Sequence, residues 1–527
     1  MYFTALVVIP PVAIVGYGLM DLLSKKEKKE TADSKTEDTF SAKFKELGKR
    51  RMMTGWKPLV PFLFMACIVL PVFLLAIVPS TIVFVILGLL NEKKKAPKPQ
   101  FFDDESGEEG KVRVKEGIPK REEREFDLVI YGATGFTGRL AARYTAKQYA
   151  GKGLRWAIAG RNAKKLEKVS DELRAIDPKL KVNTIIADSK DSKALESMVR
   201  RTKVVATAVG PFAKYGNKLV GMCAACGTDY VDTTGEADWV QHIIAKLHDT
   251  AKGSGARIVP FSAHDCVPWD MVVQQMAIRL KEKHGQDLKK VEIVDDTRGK
   301  ISGGTVDTIF NIIQNPLPRP RWGKNFNPWL LDMEGKKGEY KVKFNNAKLP
   351  SWSNVSNEWQ GLFLMADMNA KLVQRSNVLN KYGKSISYSE GMSHDTFMRA
   401  FVITLGTILL ATSAFNPILG YVFRNFVLPK PGEGATDEEM ERGYLKITGV
   451  GTGEKGAKVY TTLGFFKDAG YMDTGRMLVE CGLALALEDN SKLKHSEGGV
   501  WTSASCMGPV LLERLVATGC TFDIHSS

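Results

Sequence analysis

Cysteine and histidine are scarce, seven of each in 527 residues. Cys67, Cys223, Cys226, Cys266, Cys481, Cys506 and Cys520 are odd in number and scattered through apolar surroundings, which excludes a disulfide framework and points to a reducing compartment. Cys223 and Cys226 have CxxC spacing, but no second Cys or His pair follows at zinc spacing. They read as buried thiols of a packed helix, and no metal site is expected. Also missing are the Arg/aromatic-rich strand motif of an RNA-binding sheet, a GxSxG nucleophile elbow, and a YxxxK pair in a short-chain-reductase setting, and each absence removes a chemistry. Apolar residues are not short: at 44% they suffice for the cores of two or three domains.

The formal charge of +15 is unevenly spread. Between Ser24 and Lys57 basic residues outnumber acidic ones eleven to six. They flank apolar runs, an arrangement that suits anionic lipid headgroups better than nucleic acid. The first twenty residues are apolar and uncharged, and lysines follow from Lys25. Lacking a positive n-region and a small-residue cleavage site, residues 1–24 read as a retained anchor, which Pro10 and Pro11 bias toward shallow insertion. A polar linker covers 25–57. Pro58 to Leu90 then runs 33 residues without a charge, whereas one straight span needs about 20. The excess length, Pro61, Pro71 and Pro79, and basic clusters on both flanks predict a membrane hairpin over 58–91 with both ends on the cytosolic face; a single tilted span is the alternative. The implied surface is the endoplasmic reticulum or a lipid droplet. A plastid reading lacks the Ser- and Arg-rich composition of a transit segment.

Residues 92–125 are charged and proline-bearing and read as a solvated linker. Strand and helix patterns alternate over 126–262, which predicts a parallel sheet wrapped by helices. A mixed pattern over 263–463 reads as a second α+β domain, followed by a C-terminal segment, 464–527. Within the second domain, Phe401 to Phe423 is a third long apolar stretch. It is either a membrane-docking helix pair broken at Asn416-Pro417 or a buried helix. The expected class is α/β: a Rossmann-type parallel sheet with an inserted second α+β domain, plus N-terminal membrane segments.

The most specific motif is FDLVIYGATGFTGRLAARYTA, in which an apolar strand runs into Gly132, Gly135 and Gly138 and then a helix. Glycines there permit a tight turn, close approach of backbone amides to a pyrophosphate, and close helix-on-strand packing. Gly132, Ala133, Thr134, Gly135, Phe136, Thr137 and Gly138 are therefore expected around a dinucleotide. The second strand should end at Gly160, and Arg161 lies 23 positions beyond Gly138. An acidic residue there would accept from the ribose hydroxyls of NAD, whereas Arg161, with Asn162, Lys164 and Lys165 nearby, suits the 2′-phosphate of NADP. Asp188 closes a third strand near the expected adenine, and Gly210 and Pro211 close a fourth. GTDYVDTTGE, read as the next turn, brings Asp232, Thr233, Gly235 and Glu236 to the same rim. Hydride transfer also needs one proton to be managed, for which Tyr215, Asp232, His264 and Asp265 are weak candidates; a structural histidine hydrogen-bonded to backbone is the plainer reading of His264.

From about residue 124 to the C-terminus the chain resembles the saccharopine dehydrogenase-like oxidoreductases, a family with lipid-droplet-associated eukaryotic members and bacterial trans-acting enoyl reductases. The resemblance rests on GATGFTG (132–138), AGR (159–161), GPFAKYG (210–216), GTDYVDTTGE (227–236), HDCVPWD (264–270), SGGT (302–305), LPKPGEG (428–434), ERGY (441–444) and GGVWTSAS…GPVLLERL near the end. It implies an NADP-type Rossmann domain, a second domain covering the cofactor, and a C-terminal stretch packing back. It supplies no proven catalytic residue. The charged groups that bind an amino-acid substrate in true saccharopine dehydrogenases cannot be placed here, which argues against lysine metabolism. Apolar anchors point to a lipophilic carbonyl, imine or enoyl substrate; the alternative is a non-catalytic dinucleotide-binding membrane scaffold or sensor. A homodimer is allowed.

Overall fold

A computed structural model describes residues 99–101, 114–264, 266–299, 310, 339–416, 420–421, 425 and 434–527. The expected anchor (1–24), linker (25–57) and hairpin (58–91), as well as Asp265 and the 302–305 motif, lie outside the described residues. The chain divides into two units. Among the described residues the smaller holds Ala347–Leu364 and Gly391–Val427, and the larger holds the rest.

In the larger unit the alternation of 126–262 becomes β1 (Phe126–Tyr131), α1 (Phe136–Tyr149), β2 (Trp156–Gly160), α2 (Ala163–Ile176), β3 (Asn183–Ile186), α3 (Ser192–Arg200), β4 (Thr202–Thr207), α4 (Phe212–Tyr215), α5 (Asn217–Ala225), β5 (Asp229–Asp232), α6 (Ala237–Ser254) and β6 (Arg257–Val259). All six residues of β1 are buried, as a strand covered by helices on both faces requires. The pairings are parallel and the order is 3-2-1-4-5-6, the doubly wound arrangement. GTDYVDTTGE corrects the sequence reading: Asp229 to Asp232 is a buried strand between β4 and β6, not part of a turn. The β-branched and aromatic pair Tyr230-Val231 favours that pleated site. Cys223 sits inside α5 and Cys226 caps it; both thiols are free and buried.

The chain continues through α7 (Val267–His284), β7 (Leu288–Arg298), β8 (Lys341–Phe344), β9 (Ser351–Ser353), β10 (Glu358–Gly361), α8 (Ala366–Asn380), β11 (Ser385–His394), α9 (Phe397–Phe415), α10 (Asp437–Glu441), β12 (Tyr444–Gly453), β13 (Lys458–Phe465), α11 (Met472–Leu487), β14 (Gly499–Val500), α12 (Ser503–Cys506), α13 (Gly508–Ala517) and β15 (Thr521–Ser526). In the larger unit β15, β13, β12, β7 and β11 form a second, mixed sheet, with β8 parallel to β11 and α7 packed across it. Gly449 and Gly451 leave room there for the side chain of Met276. The last 64 residues, 464–527, divide between the two sheets rather than serving the Rossmann part alone. Helix α11 lies on β1, β4, β5 and α1, β14 adds a seventh parallel strand beside β6, and β15 closes the second sheet beside β13.

The expected linker also needs correction. Phe101 belongs to the hydrophobic core, the Lys115 amide donates to Ala225 O at 2.9 Å, and Arg124 is 4% exposed. Its guanidinium ties the start of β1 to carbonyls at the ends of neighbouring elements, which the charge pattern of a linker does not suggest.

In the smaller unit β9 and β10 form a hairpin, β10 pairs with Met392–His394 of β11, and α9 packs against β10. Trp352 meets Trp359 at 5.7 Å and Trp359 meets Phe397 at 5.0 Å, both edge-on. Leu349, Trp352, Phe397 and Tyr421 are exposed. Helix α9 stops at Phe415, and the Gly420 amide turns back to Asn416 O at 2.8 Å. Among the described residues no helix is long and apolar enough to cross a membrane.

Candidate functional site

The site is built where β1 feeds α1, beside β4, at the point where strand order reverses. Ligands of open α/β sheets bind in the crevice at such a point. The three glycines do different work. Gly132 has φ +89°, and a side chain there would collide with Val209 after β4. A Cβ on Gly138 would lie 2.7 Å from the Gly132 carbonyl carbon, so helix and strand approach too closely for anything larger. Gly135 is unlike both: a Cβ there would meet only Gly132 O, at 3.3 Å, and otherwise open space. Gly135 is also the N-cap of α1 and supplies no side-chain cap, so the first-turn amides are left to an outside acceptor. A diphosphate fits this place. Ala133 is buried, and Phe136 packs edge-on against Tyr471 at 5.2 Å beneath Gly434. Its ring packs against Ala435, Met440 and Tyr471 and so anchors the segment that carries α10.

Arg161 follows β2 and is exposed. Its neighbour Asn162 has a structural task, since its carboxamide oxygen caps α2 by accepting from the Lys165 amide at 3.0 Å. Asp188, half-buried past β3, accepts from the Lys190 amide in its own turn at 2.9 Å. Arg161 and Asp188 both act on the buried phenol of Tyr131: burial raises its pKa, Asp188 adds to the rise and Arg161 opposes it. Strand register sets where Arg161 lies: Ala159 of β2 pairs with Tyr131, the last residue of β1, and Arg161 follows two positions later.

On the other side of the switch point Gly210 is exposed and Pro211 half-buried, before α4. The Phe212 and Ala213 amides of α4 donate to the Glu236 carboxylate at 2.5 and 2.9 Å. Tyr215, half-buried, ends α4 with the Lys214 amine over its ring. Asp232 is fully buried at the end of β5, where it accepts from the Thr234 and Phe261 amides, both at 3.0 Å. It clamps the turn after β5 to the turn after β6. Burial pushes both Asp232 and Glu236 up to about 7. His264 is half-buried and meets Trp269 edge-on at 5.4 Å. Burial raises the carboxyl of Asp473 at the start of α11, and the charges of Arg476, Lys467 and His264 draw it back.

Behind His264 lies a cluster that sequence reasoning missed. Trp269 Nε1 donates to Asp295 on β7 at 2.9 Å. Asp295 faces Glu390 on β11, and Glu390 also accepts from Asn369 Nδ2 at 2.7 Å and from the Tyr388 hydroxyl. Both carboxyls are fully buried. Burial raises both and their mutual repulsion raises Asp295 further, so the pair retains a proton near neutral pH. Alternation carried a usable signal: Val291, Ile293 and Asp295 share the buried side of β7, and Ile386, Tyr388 and Glu390 that of β11. An acid on an apolar face asks for a reason. Among the described residues no cluster of three or more His, Cys, Asp and Glu could hold a metal ion.

Residues 128–259 match the family described as saccharopine dehydrogenase NADP binding domain. A Mycobacterium tuberculosis protein is 35% identical over 413 residues, covering 75% of this chain and 96% of its own length. Another from that species, named trans-acting enoyl reductase, is 34% identical over 415 residues, covering 75% and 97%. Among solved structures, apo saccharopine dehydrogenase (L-Glu forming) from Saccharomyces cerevisiae aligns with 76% of this chain and 99% of its own at 12% identity and a TM-score of 0.43. With a doubly wound sheet, a glycine loop shaped for a diphosphate and relatives matched over nearly their whole length, the chain belongs to the saccharopine dehydrogenase-like family of NAD(P)-dependent oxidoreductases, with NADP(H) as its cofactor.

Proposed function

We propose that the protein is a reductase of the cytosolic face of the endoplasmic reticulum or of lipid droplets, reducing a lipophilic enoyl, carbonyl or imine compound with NADPH. The observation that carries the reading is the uncapped α1 terminus opening at Gly135 into free space, beside a rim of buried acids. Relatives named for enoyl reduction support the substrate class, and the exposed Leu349, Trp352, Phe397 and Tyr421 support contact with lipid.

The bound cofactor would contribute a hydride. The chain must hold the acceptor, exclude water and deliver one proton, which for an enoyl compound goes to the carbon next to the carbonyl. The first-turn amides of α1 would hold the diphosphate and Arg161 the 2′-phosphate. Of the candidates Tyr215, Asp232, His264 and Asp265 we assign the proton to His264, whose ring meets Trp269 edge-on while the Trp269 indole donates to Asp295 of the buried pair. The test is purified full-length protein with NADPH and a lipid extract, followed by loss of reduced-cofactor absorbance. Extract-dependent oxidation is the expected result. Binding of NADPH without oxidation across a broad lipid panel would leave a dinucleotide-binding scaffold in its place.

A further inference from the structure

The edge of the Rossmann sheet opposite the glycine loop carries an excess of buried positive charge. Arg124 precedes β1, Asp229 opens β5 and Arg257 opens β6. Six residues of strand separate this edge from Gly132, roughly 20 Å. Arg121 and Arg257 both pair with Asp229, at 2.9 and 2.5 Å, so the single carboxylate is shared. Arg124 has only neutral acceptors among its described hydrogen bonds: Thr202 O and Thr228 Oγ1 at 2.9 Å, Cys226 O at 3.0 Å and Pro119 O at 3.4 Å. Burial and the neighbouring Arg121 both lower its pKa. Three guanidiniums, those of Arg124 and Arg257 buried and that of Arg121 half-buried, face one carboxylate, which leaves two positive charges uncompensated where charges are ordinarily paired. A cavity of about 320 Å³ adjoins them, lined by Lys115, Lys120, Arg121, Arg124 and Arg257. Lys115 is paired with Glu196 at 2.6 Å, and none of the described ion pairs includes Lys120.

We propose that this cavity is a binding site for a phosphomonoester group, distinct from the dinucleotide loop. A dianion supplies the two missing negative charges, and guanidinium forks match phosphate oxygens. The group can come from a lipid headgroup or from a soluble phosphate ester, and the two sources separate experimentally.

Full-length protein is saturated with NADPH, so that the α1 terminus is occupied, and titrated with inorganic phosphate by calorimetry. It is also pelleted with phosphatidylcholine vesicles, with and without phosphatidic acid. The variants are Lys120→Glu and, as a control on an exposed lysine elsewhere, Lys384→Glu. Phosphate binding should weaken at least about tenfold in Lys120→Glu and be unchanged in Lys384→Glu. NADPH affinity should stay constant in both. Pelleting that depends on phosphatidic acid and is lost in Lys120→Glu identifies a lipid source, and phosphate binding alone identifies a soluble one. Absence of both kinds of binding, or equal loss in the two variants, overturns the proposal. Because the readout is Lys120-dependent anion binding, its failure is distinguishable from a failure of the reductase reading.

Discussion

Replacing Gly135 and Gly138 separately by alanine distinguishes a loop that merely folds from one that binds. In Gly138→Ala the new methyl would stand 2.7 Å from the Gly132 carbonyl carbon and 3.1 Å from Ala133 Cα. Ordinary carbon contacts begin near 3.5 Å, so helix and strand must part by several tenths of an ångström to about 1 Å. Overpacking of that kind costs roughly 1–3 kcal/mol, and the amides move with the helix. Gly135→Ala has neither problem. Its φ of −83° is ordinary for alanine, and the methyl meets one oxygen at 3.3 Å. Losing glycine at an N-cap and restricting the unfolded chain nearly offset each other, leaving stability within about 1 kcal/mol. The methyl does enter the space meant for the diphosphate. Displacing two charge-assisted hydrogen bonds at about 1.5 kcal/mol each weakens binding on the order of 100-fold. Thermal melting and NADPH titration by intrinsic fluorescence read both quantities. Gly138→Ala should lose several degrees and its affinity; Gly135→Ala should melt like the parent and bind on the order of 100-fold more weakly. Parental affinity in Gly135→Ala would mean that the diphosphate rests elsewhere.

Three further expectations follow from the same geometry. Arg161→Asp should lower the preference for NADPH over NADH by at least about tenfold, measured by competitive titration, because a carboxylate repels the 2′-phosphate; an unchanged ratio would remove Arg161 from that role. Burial raises the pKa values of Asp232, Glu236 and Glu390 to about 7, so the folded protein holds protons that the unfolded chain has released. The stability this gives is complete below about pH 4 and is lost as pH rises toward 7. The cofactor-free protein should therefore melt higher at about pH 6 than at about pH 8, with Asp232→Asn flattening the profile, and a midpoint rising over that range would contradict the assignment. Asp229→Asn leaves Arg121 and Arg257 without their shared partner, and denaturant titration should show a loss of about 3–5 kcal/mol; a loss below about 1 kcal/mol would show that the neighbouring carbonyls suffice.

The Rossmann half was legible because its determinants are local. The run Leu128–Tyr131 and three glycines within seven residues specify a strand, a tight turn and an uncapped helix without reference to the rest of the chain. The alternation of strands and helices then called for a parallel sheet, which the structure shows in the doubly wound order. Features that depend on distant partners were not legible. Asp295 and Glu390 are 95 positions apart and meet only because β7 and β11 are neighbours. Arg121 and Arg124 sit in a stretch whose composition is that of a linker, and their partners Asp229 and Thr202 lie 108 and 78 residues on. Asn162 shows the converse. Its position beside Arg161 invited a cofactor role, while an Asn before a helix is equally the ordinary cap that the structure finds.

Helix α11 reaches the sheet only after some 210 residues of intervening chain beyond β6. It closes against α1 so tightly that a Cβ on Gly475 would lie 2.9 Å from the Ala141 amide nitrogen, and one on Gly482 would meet the side chains of Leu128, Val204 and Val231. A polypeptide ending at Ser262 would carry every residue of the glycine loop yet leave three central strands bare on one side. During synthesis the nucleotide half therefore waits for nearly the whole chain before its interior is sealed, and such long-range closure is slow. An isolated fragment should aggregate instead of binding dinucleotide, however complete its fingerprint.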